Sequence, residues 1–337
     1  MAVQANFYRV RLELPDQPEL LCVRRARLKK VGVQIVVGDR VVVEEPDWQG
    51  NRGAIAEVLP RRNQLERPAI SNVDRLLLVS SLAQPEPDPH QVSRFLAMAA
   101  PLGCAVLVVW TKRDLVGERT VTFWGDRLHQ WGYPSLAVST VTGQGLEELR
   151  GQLRSGISIV TGLSGVGKSS LIQVLAPREQ LRTGRISTRH EKGRHTTRHV
   201  ELFPLPEGGH LADSPGFMQP ALTMTVRQLM AAFPEIQFRL EQDSCQFPDC
   251  THRHEPGCVV RGDWERYPHY LNFLAEVQEH GDRLHSTRTT DRAYKDKSQH
   301  HEPLLNRKKH RRPSRRVLHQ GQDAGNGSDI EVGEVEL

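Results

Sequence analysis

Residues 157–175 read ISIVTGLSGVGKSSLIQVL. An apolar strand-like run, Ile157 to Thr161, leads into the glycine-rich turn Gly162-Leu163-Ser164-Gly165-Val166-Gly167-Lys168-Ser169. From Ser170 to Leu175 apolar residues recur as in the start of a helix. Glycines let backbone N–H groups wrap around phosphates, and the helix N-terminus adds the positive end of its dipole. This is a P-loop in its required setting, with Gly162 through Ser170 expected to line a nucleotide. Lys168 is expected to reach the β- and γ-phosphates, and Ser169 to ligate Mg²⁺.

The surrounding motifs stand in an unusual order. Thr111-Lys112-Arg113-Asp114 follows the apolar run ending at Trp110 and precedes the P-loop. A carboxylate at Asp114 can accept from both N1–H and the exocyclic amine of guanine, a donor pair that adenine lacks, so GTP is expected over ATP. Val138-Ser139-Thr140, ahead of Gly143-Gln144-Gly145, fits a loop bracing the base through Ser139. Downstream, Asp213-Ser214-Pro215-Gly216 resembles a switch that senses the γ-phosphate, Asp213 holding Mg²⁺ through water and the Gly216 N–H bonding the phosphate. Gly193-Arg194-His195-Thr196-Thr197 lies between loop and switch, where a threonine closes over Mg²⁺. Thr196 and Thr197 both fit; Thr197 is the one assigned with Ser169. A base-reading motif before the P-loop implies a circularly permuted GTPase domain.

The 337 residues suffice for two or three domains. Residues 1–66 carry short Val-rich runs, Val33 to Val37 and Val41 to Val43, with Gly turns, as in a small β-barrel of oligonucleotide-binding (OB) type. Residues 67–232 alternate buried-type strands (Arg75–Val79, Ala105–Val109, Leu136–Val138) with helical stretches (Val92–Met98, Leu146–Leu153), the rhythm of a doubly wound α/β domain. Residues 233–285 suggest a helical module around a Cys/His cluster. Residues 286–337 are basic, then Gly-rich, then acidic, and are expected to be disordered.

No apolar run approaches the roughly 18 residues of a membrane span, and MAVQANFYRV lacks the pattern of a signal peptide. A mean hydropathy of −0.49 and a net charge of +5 fit a soluble, cytoplasmic chain able to meet a polyanion. The cysteines favour metal over disulfides. Cys245, Cys250 and Cys258 with His252 or His254 supply four ligands, enough to close a tetrahedral, structural Zn²⁺ site.

Together, TKRD at Thr111, VST at Val138, GLSGVGKS at Gly162, GRHTT at Gly193, DSPG at Asp213 and the cluster from Cys245 closely resemble the circularly permuted ribosome-assembly GTPases of the RsgA (YjeQ) family. The resemblance covers residues 1 to about 280. It implies an OB-fold, a permuted GTPase domain and a zinc-binding C-terminal domain. It also implies a monomer that binds the small ribosomal subunit and its rRNA late in maturation, with GTP hydrolysis slow alone and stimulated by the subunit. It selects His252 as the fourth zinc ligand and gives His195 a role in positioning water. Thr111 departs from the commoner Asn, the connector after Cys258 is short, and the tail lies outside the resemblance. Phe217, where Ras-like proteins place a glutamine, cannot orient water, which predicts slow intrinsic turnover. A different class of function, a nucleotide-sensing RNA-binding scaffold in which hydrolysis is incidental, shares that feature.

Overall fold

The computed structural model describes residues 7–14, 18–66, 69–177, 202–213 and 222–283, and the backbone alone of 284–290, 294–297, 300–303 and 331–336. His195, Thr196, Thr197 and Gly216, with the rest of the stretches around them, lie outside the described residues.

The N-terminal region begins with β1 (Phe7–Leu12), β2 (Glu19–Arg24), α1 (Ala26–Val31), β3 (Arg40–Asp47) and β4 (Arg52–Val58). Alternation drives the strands together. Val10 and Leu12 of β1, Leu20 and Cys22 of β2, Val41 and Val43 of β3 and Ile55 of β4 are buried in one cluster. The run Val33–Val37, expected as a strand, makes only an isolated bridge from Val37 to Ile70. Its backbone is held otherwise. The buried Asp39 carboxylate accepts from the Val36 N–H at 2.8 Å, and Gly38 turns the chain at φ +82°, with no space for a Cβ beside the Ser71 carbonyl. Arg61 and Ser71 satisfy the rest of that carboxylate, at 2.6–2.8 Å.

The hairpin β5 (Gln64–Glu66) and β6 (Ala69–Ser71) follows, and then β7 (Val73–Ser81) opens the central domain. Val37, Leu65, Ile70, Val73 and Ile157 share one buried cluster, so the expected boundary at residue 66 runs through a packed seam.

The central domain adds α2 (Pro89–Ala99), β8 (Ala105–Thr111), α3 (Glu118–Gln130), β9 (Ser135–Ala137), α4 (Leu146–Gln152), β10 (Ile157–Thr161), α5 (Lys168–Leu175), β11 (Leu202–Pro204) and β12 (His210–Asp213). Its sheet runs β11-β12-β10-β7-β8-β9, with all neighbours parallel except β11. One face packs on α4 and α5 through Leu149, Leu171 and Leu175, the other on α2 and α3 through Leu96, Trp124 and Leu128. Cover on both faces explains why these strands read as continuous apolar runs.

Beyond it come α6 (Val226–Ala231), α7 (Pro234–Gln242) and α8 (Tyr267–Thr290). Leu222, Leu229, Phe233, Ile236, Tyr270 and Phe273 form their core together with Ala97 of α2. This unit therefore starts about Leu222, ahead of the expected 233, and rests on the α/β domain.

Within 286–337, where disorder is expected, the described residues form elements. The helix α8 continues to Thr290, β13 (Tyr294–Lys297) and β14 (His300–Pro303) form a hairpin, and β15 (Glu331–Glu336) inserts between β1 and β3 to close a barrel of order β1-β15-β3-β4-β2. Composition hid this strand, but its register accounts for it. Val335 stands opposite the buried Val10, and Gly333 opposite the buried Leu12 and Val41, whereas Glu334 stands opposite Arg11 and Arg40.

Candidate functional site

Parallel topology brings the C-terminal ends of β7, β8, β9, β10 and β12 to one edge, where open α/β sheets bind ligands. The P-loop leaves β10 there. Gly162, at φ +144°, passes so close to β7 that a Cβ would lie 2.0 Å from the Val79 carbonyl oxygen. Gly165 and Gly167 also take positive φ, and Gly167 caps α5, whose first residues are Lys168, Ser169 and Ser170. The Lys168 Nζ donates to the Gly162 and Leu163 carbonyls at 2.9 and 2.5 Å, curled over its own loop. Burial lowers its pKa, and the Asp213 carboxylate at the end of β12 acts in the opposite sense. Ser164 and Ser169 are exposed, while Val166 is buried and anchors the turn.

The loop after β8 meets the P-loop directly. The buried Thr111 hydroxyl lies against the Val166 carbonyl and 3.1 Å from the Ser80 carbonyl. Lys112, at φ +59°, extends its Nζ to the Gly165 carbonyl at 2.9 Å and also to the Gln84 carbonyl. Asp114 stands exposed in a single 3-10 turn, Arg113–Leu115. That turn is tied to the loop after β9 by the Arg113 N–H bonding the Val138 carbonyl at 3.2 Å. Ser139 is buried, and its Oγ accepts from the Val141 and Thr142 N–H groups at 3.2 and 3.0 Å. The structure thus brings Thr111, Lys112, Asp114, Ser139, the P-loop and Asp213 to one edge. Sequence reasoning missed Gln84 and Ser80, whose carbonyls brace the base loop. Neither carries a motif, since only backbone is used.

The Cys/His cluster forms a second centre. One ligand atom each from Cys245, Cys250, His252 and Cys258 falls within 4.8 Å of every other. The His252 Nδ1 lies 3.6 Å from the Cys245 sulfur and 3.5 Å from that of Cys258, and the two sulfurs are 3.9 Å apart. A tetrahedral Zn²⁺ bound at about 2.3 Å to sulfur and about 2.0 Å to nitrogen needs edges of about 3.5–3.8 Å, so the donor set fits. His254 sits outside, paired with Arg253 at 2.9 Å. Burial, followed by the neighbouring thiols, pushes Cys250 up to about 12.

The loop holding these ligands is clamped by a residue that the sequence did not single out. Glu255 accepts from the Thr251 N–H and hydroxyl at 2.7 and 2.6 Å and from the Arg253 and His254 N–H groups at 2.9 Å, which holds its carboxyl well below the usual range. Tyr267 and Tyr270 of α8 bond the His252 and Thr251 carbonyls at 2.9 and 2.6 Å.

Residues 58–223 match the family model described as RsgA GTPase. A curated relative from Thermosynechococcus vestitus, named small ribosomal subunit biogenesis GTPase RsgA, is 55% identical over 95% of this chain and 93% of its own length. The protein of that name from Microcystis aeruginosa is 50% identical over 96% and 92%. Among solved structures, YjeQ from Thermotoga maritima aligns with a TM-score of 0.69 and 31% identity, covering 82% of this chain and 95% of that one. YloQ, described as a circularly permuted GTPase, gives 0.69 and 29%, covering 83% and 94%. Sequence order, site geometry and these relatives agree: the chain belongs to the RsgA family of circularly permuted GTPases.

Proposed function

We propose that this GTPase binds the small ribosomal subunit through its rRNA, assists late maturation of the subunit, and hydrolyses GTP to GDP and phosphate when the subunit stimulates it. The observation carrying the reading is the seam between the two loops. Thr111 and Lys112 hold the Val166 and Gly165 carbonyls, so that a single nucleotide can span from Asp114 to Lys168. In this reading Asp114 takes the guanine edge, Ser139 shapes its loop, and the N–H groups of Gly162 to Ser170 with Lys168 take the phosphates. Mg²⁺, where bound, neutralises phosphate charge. Ser169 and Thr197 are its protein ligands, with Asp213 acting through water and Gly216 donating to the γ-phosphate. Zn²⁺ at Cys245, Cys250, His252 and Cys258 is structural, because four protein ligands leave no open position.

The N-terminal barrel is read as an OB-fold that grips rRNA together with the metal module, in a cytoplasmic monomer. His195 is assigned to positioning the attacking water once rRNA orders its segment, as an imidazole near neutral pKa can do. The test measures GTP turnover with and without isolated small subunits, in wild type and His195→Ala. Acceleration by subunits in the wild type, lost in the variant, is the expected result. Unaccelerated wild-type turnover favours the scaffold reading, and acceleration retained in the variant removes His195 from the mechanism.

A further inference from the structure

The hydrogen-bond donors of the loop after β8 are engaged within the protein, which decides which edge of a purine they can read. The Thr111 side chain is 2% exposed and lies between β7 and the P-loop. Its Oγ1 faces two carbonyls, that of Ser80 at 3.1 Å and that of Val166. A hydroxyl carries one proton, so this donor is already committed. The rest of the side chain is packed as closely, since a Cβ on Gly167 would stand 3.6 Å from Oγ1 and 3.9 Å from Cγ2. Lys112 directs its ammonium to the Gly165 and Gln84 carbonyls, and the Arg113 N–H is bonded to the Val138 carbonyl.

The loop after β9 differs at one position. The Val138 and Ser139 N–H groups donate to the Trp110 and Gln144 carbonyls at 2.7 and 2.9 Å, and that of Gly143 to the Ser139 carbonyl at 3.0 Å. Those of Val141 and Thr142 donate to the Ser139 Oγ. Between them, the Thr140 N–H has no acceptor among the described residues. The bond from Arg113 to Val138 ties this loop to the turn that carries Asp114. Guanine presents N1–H and a 2-amine as donors, and O6 and N7 as acceptors. Asp114 can take the donors and the Thr140 N–H can take O6, but the Thr111 hydroxyl has no proton left for N7.

Resting on the base-site reading given above, we propose that Thr111 is a positioning residue that fastens the base loop to the P-loop and leaves N7 unread. The chain then selects guanine through Asp114 and the Thr140 N–H, and it accepts guanine nucleotides that carry a C–H in place of N7. An asparagine at the same position would bring two N–H donors, enough for the Val166 carbonyl and N7 together. Threonine cannot serve both, and this difference makes the role testable.

The experiment titrates GDP, 7-deaza-GDP, IDP and ADP into the full, metal-loaded chain in three forms: wild type, Thr111→Val and Thr111→Asn. The wild type is expected to bind 7-deaza-GDP within about twofold of GDP. It should bind IDP, which lacks only the 2-amine, at least about tenfold more weakly, the scale of a hydrogen bond to a charged group. Thr111→Val removes the hydroxyl and should weaken GDP and 7-deaza-GDP by the same factor. In Thr111→Asn the two should separate by about fivefold in favour of GDP, the scale of one neutral hydrogen bond. A wild type that binds 7-deaza-GDP more than about fivefold more weakly than GDP overturns the proposal, whichever donor is responsible, the third N–H of Lys112 included. So does a Thr111→Val variant that weakens GDP alone, or a Thr111→Asn variant that binds both ligands equally. The wild-type comparison holds whether or not a variant folds. Binding of ADP or IDP as tightly as GDP overturns the base-site reading itself, a separate and recognisable result.

Discussion

Replacement of Arg266 by methionine removes a fully buried charge of the metal module, one that also bonds α2 of the α/β domain. Arg266 has no exposed surface; its Nη1 lies 3.1 and 3.3 Å from the two oxygens of Glu235, and its Nε donates to the Ser93 hydroxyl at 3.0 Å. The guanidinium also lies 4.3 Å from the centre of the Phe233 ring. Methionine fills part of the volume but leaves the largely buried Glu235 without its counter-charge. Removing one partner of a buried pair costs about 3–5 kcal/mol, and the lost cation–π contact is contained in that figure rather than added to it. At about 2–4 °C per kcal/mol for a domain of this size, the unfolding midpoint should fall by about 6–20 °C.

The cost should also depend on pH. Burial raises the Glu235 pKa above its usual 4.5, and Arg266 pulls it down. An acid raised in the folded state stabilises that state below its unfolded pKa and loses this contribution as pH rises through the folded value. Without Arg266 the folded value climbs further, so the penalty is greatest near neutrality and shrinks as pH falls towards 4.5. Urea and thermal unfolding of metal-loaded protein, at neutral and acid pH, measure both effects. Adding Glu235→Gln should recover at least about 1 kcal/mol of the loss at pH 7. A penalty under about 0.5 kcal/mol, the range of surface substitutions, or one independent of pH, refutes the reasoning.

Two other changes probe the sites. Gly162→Ala places a methyl 2.0 Å from the Val79 carbonyl oxygen at φ +144°; the loop must move, and titration with fluorescent GDP should show affinity weakened about 100-fold, the scale of an ångström-level misplacement. Cys258→Ser removes one of four ligands; bound zinc measured by elemental analysis should fall well below one per chain, and amide protection should drop across 245–283 while the α/β core keeps its own.

The chemistry of the central domain was largely legible. Strands buried on both faces, such as Ala105–Val109, announce themselves as apolar runs, and a P-loop leaves a dense local signature. The order of motifs gave the permutation without coordinates. What stayed hidden depends on distant partners. Arg266 and Ser93 are 173 residues apart, and no local pattern forecasts that they meet. Val33–Val37 reads as a strand on propensity, but Asp39 captures its backbone N–H instead. Conversely, Glu331–Glu336 reads as solvated tail because its partners, β1 and β3, stand at the other end of the sequence.

The place of β7 at the middle of the sheet bears on how the protein is made. This strand emerges first in its domain, yet its neighbour β10 arrives about eighty residues later, Leu78 pairing with Thr161. During synthesis, the edge assigned to the base, carried by β8 and β9, completes before the edge assigned to the phosphates exists. A nucleotide therefore cannot template folding of the nascent domain from its phosphates. It must wait until β12 has left the ribosome, while one long side of β7 stays unpaired. Non-local pairing of this kind slows folding and leaves an edge open to misassembly. The permuted order of strands thus carries a kinetic cost, met each time a copy is translated.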